Sequence, residues 1–271
     1  MPAYTQKAAR NALRQKYSLS KFYYTKLYEI SINGGPLIRP MFYDFPADTI
    51  AISKTPYMFM VGKEILVMPV LYKSNTLIWP YFPNWNWYDL RTRTKMVNYN
   101  PSSSTGTSLT IEAPYDYVNV AVKGGSIIPY QDAAYYSIKR LSELESKPME
   151  LIIALDHNSA AAGSLIVDEG TSLNPIENLN YRSYSFKYES KKLTVLVNNN
   201  NFSKQYAYEE VTKLVIMGID KKYDACMTTQ DSKTYKLTGV FDADKNLMIY
   251  TSSSSGVYWN KVSSITIDKT C

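Results

Sequence analysis

The sequence predicts a mainly β protein in which a short α/β piece, residues 1–62, stands ahead of two antiparallel β-sandwiches. From Lys63 onward the apolar residues fall in runs of strand length, divided by clusters of Ser, Asn, Thr, Gly and Pro. A polar stretch from Ala133 to Lys147, ended by Pro148, splits those runs into two blocks. Ahead of both lie a helical pattern and one lone strand, "GGPLIRPMFYDFP" at residues 34–46, with Gly or Pro at each end.

Residues 5–33 place Leu13, Tyr17, Tyr24, Leu27 and Tyr28 at helical spacing, and Asn33-Gly34 supplies the stop. Pro36 forbids continuation, so a strand is expected from Leu37 to Asp44, closed by Pro46. Thr55-Pro56 reads as the start of a helical turn or two through Tyr57–Met60, ending at Gly62. ILVMPVL (65–71), TLIWPYF (76–82), SLTIEAP (108–114), YVNVAVK (117–123) and SIIPY (126–130) are the expected strands of the first sandwich, residues 63–147. ELIIALD, GSLIVDE, YSFKYE, KLTVLVN, KLVIMGI, KTYKL, NLMIYT and SSITI belong to the second, residues 148–271. NNNNF and SSSSG are polar loops. A single strand cannot bury both edges and both faces, so residues 1–62 read as a torn piece of a larger α/β domain.

The chain has 271 residues, enough for one to three domains with real cores. Its net charge of +6 comes from Lys and Arg scattered singly or in pairs, which reads as solvated surface and not as a nucleic-acid footprint. No run approaches the roughly 18 apolar residues of a membrane span. The N-terminus lacks the apolar core of a secretion signal and continues the helical pattern, so an ordinary helix is expected over a presequence. Cys226 and Cys271 are the two cysteines, and no disulfide framework is expected. Asn201-Phe202-Ser203 is a glycosylation acceptor, compatible with a secretory route, but the compartment is not fixed.

Six stretches follow one another in a recognisable order: KYSLSKFYYTKLYE, GGPLIRPMFYDFP, YMFMVGKEILVMPVL, WNWYDLRT, VAVKGGSIIP and ELIIALDHNSAAAGSLIVDEGTSL. Together they resemble glycoside hydrolase family 31, the α-glucosidase family, over about residues 14–173; the last hundred residues match only in β character. The resemblance implies that residues 1–62 are the C-terminal remnant of a (β/α)8 barrel, its last helix, eighth strand and closing helix. Residues 63–147 and 148–271 would then be the proximal and distal β-sandwiches. Ser20-Lys21 stands where the family usually has Leu-Pro, a change expected to alter only a bend. A complete relative would hydrolyse terminal α-linked glucose with retention, through a covalent glycosyl-aspartate, with no metal or organic cofactor. The family's nucleophile, acid/base and sugar-holding residues lie earlier in the barrel. None maps onto this chain, so no catalytic residue is assigned and the chain alone is expected to be inactive. An oligosaccharide would be bound only in a complete barrel, with the missing N-terminal part as partner. Full-length relatives are mostly secreted or lysosomal.

Retaining hydrolysis needs two carboxyl groups about 5 Å apart, raised from different strands. Asp44 and Asp48 sit in one loop beyond the lone strand, four residues apart, and are expected to be loop caps near a barrel mouth. Asp168-Glu169-Gly170 reads as a turn, because strand neighbours point to opposite faces. His157, in the loop Asp156-His157-Asn158, lacks the companions of a metal site or triad and reads as surface. Trp79, Trp85 and Trp87 could stack a sugar but are expected to pack as core. Gly124-Gly125 lacks a following helix and a Lys-Ser/Thr, so it is a tight turn and not a phosphate loop. Arg39 is expected to pair inside the barrel and hold neighbouring strands. The rival is a stand-alone β-sandwich that binds carbohydrate or a partner.

Overall fold

The computed structural model describes residues 3–171, 177–254 and 256–271. Ser172 and Leu173 of the last resembling stretch, and Ser255 of the SSSSG loop, lie outside the described residues. The protein is mainly β.

The helical pattern at the start is two helices, α1 (Ala3–Ser18) and α2 (Ser20–Asn33). The break has a tertiary cause. Gln131 N–H donates to the Ser18 carbonyl at 2.9 Å, and Ala133 N–H donates to the Ser18 hydroxyl at 3.0 Å. Leu19 then takes φ −98°, ψ 7°, and the axis turns. Asn33-Gly34 does stop α2: Gly34 has φ 74° and its N–H closes on Ile30 O at 2.8 Å.

The strand expected over 37–44 is shorter than the sequence suggests. β1 (Ile38–Pro40) is followed directly by a helical turn, α3 (Met41–Asp44). Pro40 has no N–H to continue a ladder. The Arg39–Asp44 ion pair, 3.0 Å, draws the chain back on itself. The helix expected near Thr55 lies earlier, as α4 (Thr49–Lys54), because Asp48 caps it. Residues 59–61 are instead β2 (Phe59–Val61), which turns at Gly62 into β3 (Ile65–Met68). β2 also pairs antiparallel with β1, so the lone strand has one neighbour among the described residues.

The strands that follow are β4 (Leu77–Ile78), β5 (Tyr81–Phe82), β6 (Trp87–Asp89), β7 (Lys95–Val97), β8 (Thr107–Ser108), β9 (Ile111–Glu112), β10 (Asn119–Lys123) and β11 (Ser126–Tyr130). The first sheet runs β1-β2-β3-β10-β6-β7, while β4-β9 and β5-β8 form two small ribbons. The remaining strands are β12 (Met149–Ala154), β13 (Ala161–Val167), β14 (Arg182–Glu189), β15 (Lys192–Asn200), β16 (Val211–Met217), β17 (Ala225–Thr229), β18 (Thr234–Asp242), β19 (Leu247–Ser252) and β20 (Val262–Ile267). Among the described residues they close, with β11, into a barrel of order β11-β12-β16-β19-β18-β17-β20-β15-β14-β13.

Two antiparallel β-sandwiches were expected, and the second differs from that expectation in its closure and strand direction. The second sheet is closed and mixed, with β12 parallel to β16 and β11 meeting β13 in parallel at Ser126 and Ala162. β11, grouped by sequence with the strands before Pro148, belongs to the barrel because it pairs with β12 along its length. The cysteines also correct expectation. Cys226 on β17 is bonded to Cys271, Cα–Cα 5.3 Å, since β17 runs beside β20 and the chain leaves β20 towards that position.

Alternation fills the barrel. Tyr184, Phe186 and Tyr188 of β14 and Leu193 and Val195 of β15 point inward to pack with Trp259. A second core lies between the first sheet and the barrel wall, where Ile65, Tyr88 and Val122 meet Ile128, Ile152 and Val215. Leu19 and Phe22 of the helical segment join it. α2 is therefore half covered: one side is core, and Leu27 on the other is 52% exposed.

Candidate functional site

The loop after β1 carries the two carboxylates singled out in the sequence. Arg39 Nη1 donates to Asp44 Oδ1 at 3.0 Å, its Nε donates to Pro36 O at 3.1 Å, and its guanidinium lies 5.0 Å from the Tyr43 ring centre. Arg39 thus ties its own loop and does not bridge to neighbouring strands, because the turn at α3 brings Asp44 within reach first. Asp48 Oδ1 accepts the N–H groups of Ile50 and Ala51, each at 3.1 Å, and Oδ2 accepts the Tyr81 hydroxyl at 2.7 Å. Burial and this bond push the Tyr81 phenol up to about 12. Asp44 and Asp48 are both engaged in holding the loop; the structure does not present them as a pair facing a common space.

The other candidates separate in the same way. Trp87 is buried and donates its indole N–H to Pro83 O at 2.8 Å; Trp85 is half-buried and donates to Gly124 O at 2.6 Å. Trp79 departs from the expected core packing. It is 60% exposed, just past the two-residue strand β4 and before Pro80, beside Tyr57 and Tyr72. His157 is exposed, stacked on Tyr99 at 4.2 Å between ring centres, with the edge of Trp85 at 5.4 Å. Asp168 closes its turn through Gly170 N–H at 2.8 Å and accepts the Tyr24 hydroxyl at 2.6 Å, fastening α2 to the barrel. Gly125 takes φ 90° in the β10–β11 turn, and a side chain on Gly124 would stand 2.7 Å from Leu155 O. No group of three or more His, Cys, Asp or Glu among the described residues could hold a metal ion.

Two large open spaces border α2. One is an apolar groove of about 670 Å³, floored by Leu37, Phe59, Val67 and Val118 and walled by Tyr23 and Leu27. The other is a polar cavity of about 500 Å³ between α2, the β2–β3 turn and the β10–β11 turn. It gathers Lys26, Glu64 and Lys123, none of which the sequence reading singled out. Lys26 Nζ bridges Glu64 Oε1 at 2.8 Å and Glu29 Oε2 at 2.9 Å. Burial disfavours the Lys26 ammonium, but the two carboxylates outweigh it and hold its pKa above the ordinary value. Burial pulls Lys123 below its ordinary value, opposed by Asp44 and Glu64. The one sequence signal was Glu64 itself, a charge placed between Gly62 and a fully apolar strand.

Comparison with known proteins now bears on this geometry. The family model described as Glycosyl hydrolase family 31 C-terminal domain matches residues 34–128, from the Gly34 cap into β11. The chain belongs to glycoside hydrolase family 31. It is 31% identical over 232 residues to the human probable maltase-glucoamylase 2, covering 85% of this chain and 9% of that protein. It is 31% identical over 216 residues to the Hordeum vulgare α-glucosidase, covering 78% of this chain and 24% of that protein. An uncharacterized family 31 glucosidase of Schizosaccharomyces pombe is 33% identical over 199 residues, covering 72% and 19% respectively. The chain thus spans less than a quarter of the length of these family 31 relatives. In fold it matches the glucosidase II alpha subunit, TM-score 0.78 at 21% identity, over 94% of this chain and 28% of that one. A Flavobacterium johnsoniae family 31 dextranase matches at TM-score 0.71, 21% identity, over 94% and 32%. These likenesses favour kinship with α-glucosidases over a stand-alone binding module.

Proposed function

We propose that this chain is the counterpart of the C-terminal portion of an α-glucosidase and supplies scaffold to a catalytic barrel. Residues 1–62 correspond to the end of a (β/α)8 barrel, residues 63–147 to the proximal β unit and residues 148–271 to the distal one. The reaction of the whole enzyme is retaining hydrolysis of a terminal α-linked glucose, and its two reacting carboxyl groups come from outside this chain. The partner is the N-terminal barrel portion, and the oligosaccharide binds once that barrel is complete.

One observation carries this reading: the apolar groove along α2 and β1. β1 is the end strand of its sheet, with β2 on one side only among the described residues. Ile38 is 63% exposed and Leu27 52%, on the two sides of the groove. A soluble protein rarely leaves such a surface without a use. An end strand with a free edge and a helix with a bare apolar side suit a segment that completes a barrel. Asp44 and Asp48 fit the same reading as loop supports near the barrel mouth.

The purified chain should show no hydrolysis of p-nitrophenyl α-glucoside or maltose above a buffer blank. Turnover that co-purifies with the chain would overturn the proposal. Persistence of that turnover in a D44N/D48N variant would locate the acid pair at other residues of this chain.

A further inference from the structure

Asn201-Phe202-Ser203 is a motif that the scaffold reading leaves unused. An asparagine can accept a glycan when Ser or Thr stands two residues on and the residue between is not Pro. Only two places in the sequence have that spacing, and Asn100-Pro101-Ser102 is barred by its proline. The Asn100 side chain is also in use, its Oδ1 accepting the Ser102 N–H at 3.0 Å.

The fold separates the three residues of the other motif. β15 ends at Asn200, and the chain then leaves the barrel wall. Asn201 is exposed and is fixed through its backbone, whose N–H donates to Asn199 Oδ1 at 2.9 Å. Ser203 is exposed as well. Phe202 between them is 5% exposed and stacks on Tyr206, 6.0 Å between ring centres. Arg182 Nη2 donates to the carbonyls of Phe202 and Lys204. The middle residue is the anchor, and the acceptor stands in solvent. Asn200, Lys204 and Gln205 beside it are also exposed, so a bulky polar substituent on Asn201 covers polar surface and displaces no core side chain.

A second feature points to the same chemistry. Cys226 is bonded to Cys271, and disulfides persist in oxidising compartments such as the secretory lumen, where a sequence of this kind meets the glycan donor. The anchoring also sets when transfer happens. Once β14 pairs with β15, Arg182 of β14 holds the Phe202 carbonyl and the segment can no longer move into another enzyme's site.

We propose that Asn201 is an N-glycosylation site, filled before the barrel closes, whose glycan covers the polar loop after β15. In the transfer, Asn201 Nδ2 bonds to the anomeric carbon of a lipid-pyrophosphate-linked oligosaccharide. The bond from that carbon to the pyrophosphate oxygen breaks, the lipid pyrophosphate leaves with the electron pair, and one amide proton is released. The proposal concerns modification of the chain and is independent of the scaffold reading.

The test expresses the full chain behind a secretion leader in eukaryotic cells. The secreted protein is read by peptide mass spectrometry before and after peptide N-glycosidase. A glycan is expected on the peptide that contains Asn201, removed by the glycosidase to leave an aspartate. N201Q and S203A should each abolish it, S203T should keep it, and Asn100 should stay bare. The folded chain made in bacteria should stay unmodified when offered to the transferring enzyme and its lipid-linked donor. A secreted chain bare at Asn201 overturns the proposal, and so does a glycan that persists in N201Q. Modification of the folded chain overturns the timing. S203A leaves Asn201 in place, so it decides even where N201Q is not secreted. None of these outcomes bears on the expected absence of hydrolysis.

Discussion

Replacing Asp48 by Ala should cost the chain about 2–4 kcal/mol of stability. The carboxylate serves two structures at once. Oδ1 caps α4 by accepting from Ile50 and Ala51, and loss of such a cap costs about 0.5–2 kcal/mol. Oδ2 accepts from Tyr81, which is 2% exposed, and a buried donor left unmatched costs about 1–3 kcal/mol. The Tyr81 oxygen still accepts from Gly106 N–H at 2.6 Å, which keeps the sum below the upper limits. Asp48→Asn keeps one acceptor oxygen and so the cap, but sets an NH2 against the Tyr81 hydroxyl, so it should cost about 1–3 kcal/mol, less than D48A. Urea unfolding followed by tryptophan fluorescence reads the difference, because Trp87 packs in the same cluster as Ala51 and Tyr81. If D48A unfolds within about 0.5 kcal/mol of the parent, the residue is not a structural cap and the reasoning fails. If D48N costs as much as D48A, the cap that Asn retains contributes nothing and the helix-capping part of the reasoning fails.

Other consequences can be measured on the same protein. Arg182 and Glu209 are a buried ion pair, 2% and 0% exposed, with Tyr184 also donating to Glu209 at 2.7 Å; E209Q should cost about 3–5 kcal/mol by calorimetry, and R182M/E209L less than either single change. Reducing Cys226–Cys271, which spans 45 residues, should lower stability by about 4 kcal/mol, read by unfolding with and without reductant. Burial brings Lys21 down to about 8, against the attraction of Glu145, Asp168 and Glu209. Between that value and the ordinary 10.5 the unfolded chain holds the extra proton, so the stability of the parent relative to K21M should rise with pH from about 8 towards 10. A difference that stays flat over that window contradicts the burial of Lys21. The bare groove should make the isolated chain self-associate in sedimentation velocity, and Leu27→Lys and Ile38→Lys should each reduce that association; a monomeric parent contradicts the expectation, and unchanged association in the variants would place the contact elsewhere.

Much of this fold was legible because strand alternation and turn residues are local signals. The runs at 65–68, 119–123 and 149–154 lie where their apolar residues indicate, and Gly125 makes the turn its sequence suggests. What the sequence hid depends on residues far apart along the chain. The α1–α2 break comes from Ser18 bonding to residues 131 and 133, and nothing near residue 18 announces it. Closure of the second sheet turns on β11 meeting β13 at the paired position Ser126 and Ala162, while alternation only assigns side chains to faces. The disulfide needed β17 beside β20, and β17 itself, ACMTT, was too polar and short to read as a strand. Of the candidate site, Asp44 ends the helical turn α3 and Asp48 caps α4, and their partners, Arg39 and Tyr81, could not be assigned from spacing. Glu64 and Lys123 meet only because the β2–β3 and β10–β11 turns fall at one end of the first sheet. Trp79 misled because a Trp inside an apolar run argues for core, whereas Pro80 and a two-residue strand turn it outward.

The central claim, that this chain is scaffold for a catalytic barrel supplied from outside it, is tested most directly by a chimera. The Hordeum vulgare α-glucosidase, with its matching C-terminal segment replaced by this chain, should be soluble and should hydrolyse p-nitrophenyl α-glucoside. The same enzyme truncated at that junction should not. A folded, soluble chimera without turnover, alongside an active parent, would contradict the account.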